Sequence, residues 1–272
     1  MADDWTTRIN TGVPNPARIY DYFLGGKDNF PADREVAEQV VAIAPVARDI
    51  VEDNRAFLRR AVRLLAGEAG IRQFIDLGSG LPTQGNVHEI AQAAAPDARV
   101  VYVDNDAMVV THSRALLAGD NTAAIEADLR DPDSVMRHPE VRELIDFDQP
   151  IALLLMAILH FVPDEEDPYG IVARFRDALP AGSYLALSHG TRDIPARTDM
   201  SPEAMAEMGT KVERLYQLTT TSLVTRPRAQ VERFFDGFDL VDPGLVEIQL
   251  WRPDEADALL PGGFYGGVGR KR

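Results

Sequence analysis

Phe74-Ile-Asp76-Leu-Gly78-Ser-Gly80-Leu-Pro-Thr83 runs from an apolar stretch into a glycine turn just ahead of a helix-forming segment. A strand that ends this way marks the first carboxyl-end crevice of a parallel sheet, where glycines let the backbone come close to a ligand. A dinucleotide fingerprint requires G-x-G-x-x-G, but this chain has Thr83 at the third position and its next glycine is Gly85. The acid before the glycines, Asp76, would repel a pyrophosphate and can accept hydrogen bonds from an ammonium. The turn therefore predicts a cationic nucleoside without phosphates as its guest.

Outward from this turn, short apolar runs alternate with helical patterns, the signature of a parallel sheet covered by helices. Strands are predicted at 73–76, 99–103, 122–126, 151–155 and 183–188, all short and mostly apolar, as strands buried on both faces should be. Asn86-Val-His-Glu89 has the capping-box pattern, 107–118 ends at Gly119, and a further helix is predicted over 168–179. Toward the end, two strand-like runs within Phe238 to Trp251 flank the turn Asp242-Pro243-Gly244, which predicts a closing antiparallel hairpin. The expected fold is α/β, with a Rossmann-like seven-stranded mixed sheet whose last strand is antiparallel. Residues 1–69 are expected to form a helical N-terminal cap or lid, in which 54–65 presents Phe57, Leu58, Ala61, Val62 and Leu65. Residues 70–272 are expected to form the main domain, with a helical insertion at about 191–230.

The charge balance narrows the partners. Among 272 residues, 28 are Lys or Arg and 43 are Asp or Glu, a net charge of −15 that repels phosphate backbones and anionic headgroups. No nucleic-acid or membrane partner is expected, and the oligomeric state is not legible. Cysteine is absent, which removes disulfides, thiolate metal sites and a cysteine nucleophile. The start, Met1-Ala2-Asp3-Asp4-Trp5, lacks a basic n-region and an apolar h-region, so export is not supported and a cytoplasmic location is expected. The longest apolar stretch, 151–159, is nine residues, too short for a helix to cross roughly 30 Å of hydrocarbon.

Two more strands are expected to end in acids. Asp104 follows Val100-Val-Tyr-Val103, where a carboxylate can hold both hydroxyls of a ribose. Asp128 follows the third strand, where it can accept a hydrogen bond from an adenine amino group. Either acid alone would equally serve as a helix N-cap.

With these elements in order, the chain resembles a class I S-adenosylmethionine-dependent methyltransferase. The resemblance rests on Asp76-Leu-Gly-Ser-Gly80, Asp104, Asp128-Leu129, the strand Leu153-Leu-Leu-Met-Ala157 and Leu179-Pro-Ala-Gly-Ser-Tyr-Leu-Ala-Leu187. More narrowly, Ala17-Arg-Ile-Tyr-Asp-Tyr-Phe-Leu-Gly-Gly-Lys-Asp-Asn-Phe30, Asn54-Arg-Ala-Phe57 and Tyr102-Val-Asp-Asn-Asp106 look like an actinobacterial methyltransferase family of the DUF574 type. The resemblance implies S-adenosylmethionine as cofactor. Asp76, Gly78 and Gly80, with Ser79 between them, would face its methionine and ribose parts. Asp104 and the adjacent Asn105 would face the ribose, and Asp128 with Leu129 the adenine. Ala157 would lie beyond the fourth strand, near the transferable methyl. Arg72-Gln73 before the first strand is also similar to leucine-carboxyl-methyltransferase-like proteins, in which an arginine of the preceding cap holds the cofactor carboxylate; Arg55 is the nearest analogue and Arg18 its competitor. Tyr22, on a short apolar helix, is expected in a lid over the cofactor.

His160 follows the fourth strand and is the candidate catalytic residue, an imidazole able to take a proton from an acceptor O–H or N–H. The other histidines, His88, His112, His138 and His189, share no i, i+4 spacing, so no histidine metal site is indicated; the run Asp164-Glu-Glu-Asp167 reads as a solvated loop. The Asn/Asp-Pro-Pro-Tyr/Phe tetrapeptide of many amino-group methyltransferases is replaced by Met156-Ala-Ile-Leu-His160. With the acidic charge, this points to a small-molecule methyl acceptor. Two other classes stay open at this stage: a non-catalytic S-adenosylmethionine-binding sensor or partner-binding module, and an NAD-dependent oxidoreductase.

Overall fold

The computed structural model describes residues 10–83, 85–116, 119–191, 193, 201–254 and 263–272. The helices are α1 (Pro16–Phe23), α2 (Pro31–Ile43), α3 (Ala47–Arg63), α4 (Val87–Ala94), α5 (Ala107–Leu116), α6 (Pro132–Arg137), α7 (Pro139–Leu144), α8 (Pro168–Ala178), α9 (Pro202–Tyr216) and α10 (Arg228–Glu232). The strands are β1 (Gln73–Leu77), β2 (Arg99–Asp104), β3 (Thr122–Glu126), β4 (Ala152–Met156), β5 (Tyr184–Gly190), β6 (Phe238–Leu240), β7 (Val246–Glu247) and β8 (Phe264–Lys271). The sheet order is β3-β2-β1-β4-β5-β8-β6, with β7 also paired to β8. Strands β1 to β5 are parallel, and β1 pairs on one side with β2 and on the other with β4. The strand order therefore reverses at β1, and a ligand crevice is expected beyond its carboxyl end.

Alternation of side chains explains why these strands read as continuous apolar runs. Phe74, Val100, Tyr102 and Leu154 join a core shared with Phe57, Leu58 and Val62 of α3 and Val87 of α4. Ile75, Val101, Val103, Leu153 and Leu155 point to the opposite core, with Val135, Val141 and Phe175 of α6, α7 and α8. Both faces are buried, so no polar alternation survives. The predicted capping box is present, with Asn86 N–H donating to Glu89 Oε2 at 2.9 Å. The predicted helix over 107–118 is seen to Leu116, and 117–118 lie outside the described residues.

The end of the chain departs from expectation. The two runs around Asp242-Pro243-Gly244 do not pair with each other; β6 and β7 each pair antiparallel with β8, a strand not expected from the sequence. β8 also pairs antiparallel with β5, so it sits between β5 and β6. Three glycines hid it, because glycine is depleted in strands. Packing demands them. A Cβ at Gly266 would come within 2.7 Å of Ile248 Cγ2 and 2.9 Å of Phe57 Cζ, and one at Gly269 within 2.8 Å of Phe238 Cβ. The backbone of β8 is the surface on which its neighbours rest.

The N-terminal helices form two kinds of contact. Ile19, Phe23, Val36, Ala37, Val40 and Val51 make a core of their own, against which Val212 and Leu215 of α9 also pack. The later part of α3 instead belongs to the sheet's core, so no packing boundary falls at residue 69. Within 1–69, residues 1–9 lie outside the described residues, as do 192 and 194–200 of the predicted insertion, in which α9 and α10 are seen. Arg18 Nε donates to Asp33 Oδ2 at 2.8 Å, both side chains being fully shielded, while Asn15 N–H and Phe30 N–H donate to the same carboxylate at 2.8 Å each. The turn after α1 is built on Asp21, whose Oδ2 accepts from Asp28 N–H at 3.0 Å and Asn29 Nδ2 at 2.8 Å. A Cβ at Gly26 would fall 1.9 Å from Asp21 Oδ1. Gly26→Ala is thus expected to destabilise the protein by about 1–3 kcal/mol, the usual range for overpacking. An unchanged thermal midpoint would show that Asp21 turns aside without loss.

Candidate functional site

At the carboxyl ends of β1, β2, β3 and β4 lies a cavity of about 310 Å³, roofed by residues of α1, α2, α3 and α9. Its floor starts at the glycine turn. Gly78 N–H and Ser79 N–H both donate to Val103 O, at 2.8 and 3.2 Å, which ties the turn to β2. Gly78 and Gly80 have φ of +69° and +66°, conformations that favour glycine. A Cβ on Gly78 would also strike Ile158 Cγ1 at 2.3 Å, whereas one on Gly80 would meet nothing within 4 Å. The space beside Gly80 is therefore open cavity. Ser79 Oγ is buried without a hydrogen-bond partner, a group that a ligand can satisfy.

The acids stand around this floor. Asp104 Oδ2 accepts from Gly80 N–H at 2.9 Å and its Oδ1 from Asp106 N–H at 3.0 Å, so the end of β2 is clasped to the turn. Asp106 in turn accepts from Asn15 Nδ2 at 2.9 Å, linking the N-cap of α1 to the same loop. Burial pushes the Asp104 carboxyl up to about 6, against the backbone N–H bonds that hold it down. Burial pushes Asp76 up further, to about 7, with Arg55 opposing the rise and Asp104 adding to it. Two buried carboxyls so poised gain strongly from a cationic guest.

Asp128 is different. Burial raises its pKa, but hydrogen bonds from Arg130 outweigh that and hold it below the ordinary range. Arg130 Nη2 donates to Asp128 Oδ2 at 2.7 Å and Nη1 to Glu166 Oε2 at 3.2 Å, while Asn105 Nδ2 lies 3.5 Å from Asp128 Oδ2. Arg130 itself lines the cavity and was missed; its one trace in the sequence is a cation two residues after the acid.

The cavity wall includes Asp76, Gly78, Ser79, Gly80, Asp104 and Asn105, and beyond them Asp128, Leu129, Ala157, Arg55 and His160. Arg55 reaches it from α3, with Nη2 donating to Gly85 O at 2.8 Å. Arg18, its competitor for a cofactor carboxylate, is consumed by Asp33 and by Val13 O and does not line the cavity. Tyr22, expected in a lid over the cofactor, does not line the cavity. Its hydroxyl meets Glu38, and its ring lies 5.1 Å beneath the Arg48 guanidinium. Two residues apart on a helix means nearly opposite faces. It is Tyr20 that enters the cavity, and with it comes a network the sequence did not disclose. Ala157, at φ +53°, donates its N–H to Ser188 Oγ at 2.9 Å. Ser188 Oγ donates to Asn54 Oδ1 at 2.6 Å, and Asn54 Nδ2 donates to Tyr20 OH at 2.9 Å. A left-handed alanine held by a buried side-chain chain is strain maintained by its surroundings at the site itself.

The reading of His160 as a proton acceptor also needs correcting. Its Nδ1 accepts a hydrogen bond from Gly190 N–H at 3.2 Å, so the lone pair that would take a proton is engaged. Burial, then the neighbouring His189 and Arg226, hold its pKa well below the usual value. Among the described residues no group of three metal-ligating side chains occurs, and no helix is long and apolar enough to cross a membrane.

A sheet that reverses order at a first strand with Asp76 just ahead of a glycine turn, and that carries an antiparallel strand beside its fifth, is the arrangement expected for an S-adenosylmethionine-dependent methyltransferase. The observations above fit that cofactor: an open cradle at Gly80, an unpartnered Ser79 hydroxyl and buried carboxyls awaiting a cation. The profile of the S-adenosyl methyltransferase family matches residues 2–272, and the chain belongs to that family. Among solved structures it is similar to a DUF574 family protein from Streptomyces avermitilis MA-4680, with 44% identity over 96% of this chain and 99% of that one and a TM-score of 0.89. It is similar too to a candidate methyltransferase from Thermobifida fusca YX, at 45% identity over 96% of each chain and a TM-score of 0.86. An S-adenosylmethionine-dependent methyltransferase from Anabaena variabilis shares the fold at 16% identity, covering 97% of this chain and 98% of that one with a TM-score of 0.52. Among curated proteins, none matches.

Proposed function

We propose that the chain methylates a small, largely apolar acceptor held between the sheet ends and the α1, α2 and α9 roof. The observation that carries this is the continuity of the cavity. The same space is lined by Asp76, Gly80 and Asp104 from the strand ends and by Val40, Ala44, Ile50, Met208 and Val212 from the helical segments. In this reading Asp76 receives the cofactor's ammonium and Arg55 its carboxylate. Gly78, Ser79 and Gly80 bed its backbone, Asp104 and Asn105 hold the ribose, Asp128 and Leu129 border the adenine, and Ala157 faces the reacting methyl. Bound S-adenosylmethionine supplies an electrophilic sulfonium methyl. What the chain's own residues contribute is position and exclusion of water, so few reactive side chains are required. The roof of α1, α2 and α9 acts as a cap over that reaction. The net charge of −15 disfavours a nucleic-acid acceptor.

Calorimetric titration with S-adenosylmethionine and S-adenosylhomocysteine tests the cofactor reading directly; absence of binding by either would overturn it. Its pH dependence is fixed by the buried acids. Folded Asp76 and Asp104 titrate at about 7 and about 6, against an ordinary aspartate value near 4. Between about pH 4 and 7 the ligand-free fold keeps protons the unfolded chain has released, so these two groups make stability fall as pH rises. A cationic ligand prefers both ionised, so affinity is expected to rise from pH 5.5 to 7.5 with protons released on binding. Denaturation and calorimetry in buffers of different ionisation enthalpy measure both slopes, and affinity that falls over that interval would contradict the placement of the cation beside Asp76.

A further inference from the structure

His160 is joined to a buried arginine by a chain of hydrogen bonds whose polarity is fixed at both ends. Arg226 is 1% exposed and can only donate; its Nη1 lies 3.0 Å from His189 Nε2, which is therefore the acceptor. His189 must then carry its proton on Nδ1, which lies 2.7 Å from Gly190 O, an acceptor only. On the other side of the same residue, Gly190 N–H can only donate, and it does so to His160 Nδ1. The neutral His160 ring consequently carries its proton on Nε2. No hydrogen bond to Nε2 is seen among the described residues, and His160, 3% exposed, lines the cavity. Protonating Nδ1 would break the Gly190 contact and place a cation beside His189 and Arg226, whose charge is answered by Asp164 Oδ1 at 2.6 Å on its far side. A neutral imidazole with one bound lone pair and one free N–H is a donor.

The surroundings say what it would donate to. Phe161 and Phe264 lie edge-on to the ring, with centroids at 4.4 and 5.4 Å, and line the same cavity as the apolar Ile50, Val212 and Leu223. We propose that His160 is a fixed N–H donor for an oxygen of the methyl acceptor, which makes that acceptor an aromatic or similarly apolar molecule bearing a hydroxyl or carbonyl. The proposal rests on the cavity being the acceptor site. For a hydroxyl acceptor, the N–H favours binding as the oxyanion, whose proton is released to bulk water before the acceptor enters the cavity. The oxyanion's electron pair then forms the O–CH3 bond, the methyl–sulfur bond breaks toward sulfur, and the neutral thioether remains. His160 neither gains nor loses a proton.

Long-range 1H–15N correlation of the imidazoles in the full chain, ligand-free, tests the donor state without any acceptor, with His160→Gln identifying the resonance. The expected result is an Nε2–H tautomer for His160 and an Nδ1–H tautomer for His189, both unchanged from pH 5.5 to 8. An Nδ1–H tautomer or an imidazolium at His160 would overturn the proposal. With S-adenosylhomocysteine saturating, 2-naphthol and naphthalene then serve as probes. 2-Naphthol is expected to bind at least tenfold more tightly than naphthalene and to shift the His160 Nε2–H resonance. His160→Phe should erase that advantage, and His160→Gln, whose amide N–H replaces Nε2–H, should keep most of it. Equal affinities, an advantage that survives in His160→Phe, or failure of 2-naphthol to bind would each overturn the assignment. Failure of S-adenosylhomocysteine to bind the same samples would instead defeat the cofactor reading, leaving the tautomer result to judge His160 independently.

Discussion

Asp104→Ala is expected to weaken S-adenosylmethionine binding by about a hundredfold or more. Its carboxylate has two tasks. It accepts from Gly80 N–H at 2.9 Å and Asp106 N–H at 3.0 Å, so it fixes the turn on which the cofactor would lie. It also faces the cavity, where a ribose diol can add its own hydrogen bonds. Hydrogen bonds to a charged group contribute about 1.5–3 kcal/mol each, and about 1.4 kcal/mol is a factor of ten in affinity. The alanine variant also orphans two backbone donors, so its thermal midpoint should fall. Asp104→Asn separates the effects, since its amide oxygen still accepts one N–H and its size is unchanged. It should fold with a smaller loss yet bind the cofactor far more weakly than the parent. Calorimetry showing parental affinity in either folded variant would remove Asp104 from the cofactor site.

The second large effect is expected far from the chemistry. Asp33→Ala should cost about 3–5 kcal/mol of stability, the usual penalty for leaving half of a buried ion pair behind. Arg18 would keep a shielded guanidinium with no counter-charge, and the N–H groups of Asn15 and Phe30 would lose their acceptor. Asn15 also donates to Asp106, so loosening here reaches the β2 loop. Chemical denaturation gives the number. Replacing both partners, as Arg18→Met with Asp33→Leu, is expected to recover much of the loss, because two well-packed apolar groups remove the desolvation penalty together. A single-variant loss below about 1 kcal/mol would mean that the α1–α2 unit can open and hydrate Arg18 at little cost.

These cases show where sequence reading succeeds. Asp76, Gly78 and Gly80 were legible because a strand end, an acid and a left-handed turn fall within a few residues. The parallel strands were legible because burial on both faces leaves a local mark, the unbroken apolar run. Tyr20 and Tyr22 were not separable, since both are aromatic residues of one short helix and only docking against α3 selects which one faces the cavity. Arg18 and Arg55 were likewise rivals until Asp33 was seen to claim the first. β8 was invisible because its glycines answer to Ile248, Phe57 and Phe238, residues distant along the chain.

The sequence by itself determined the sheet's parallel half, the class of cofactor and the acids at the strand ends that line the cavity, because each is specified by residues adjacent along the chain. Tertiary structure alone decided the antiparallel edge, the Ala157–Ser188–Asn54–Tyr20 network, the pairing of Asp128 with Arg130, and the protonation of His160. Each of these depends on groups separated by tens of residues whose hydrogen-bonding capacity is shared out only when the elements pack. A histidine after the fourth strand can be a base or a donor; the N–H of Gly190 makes the choice.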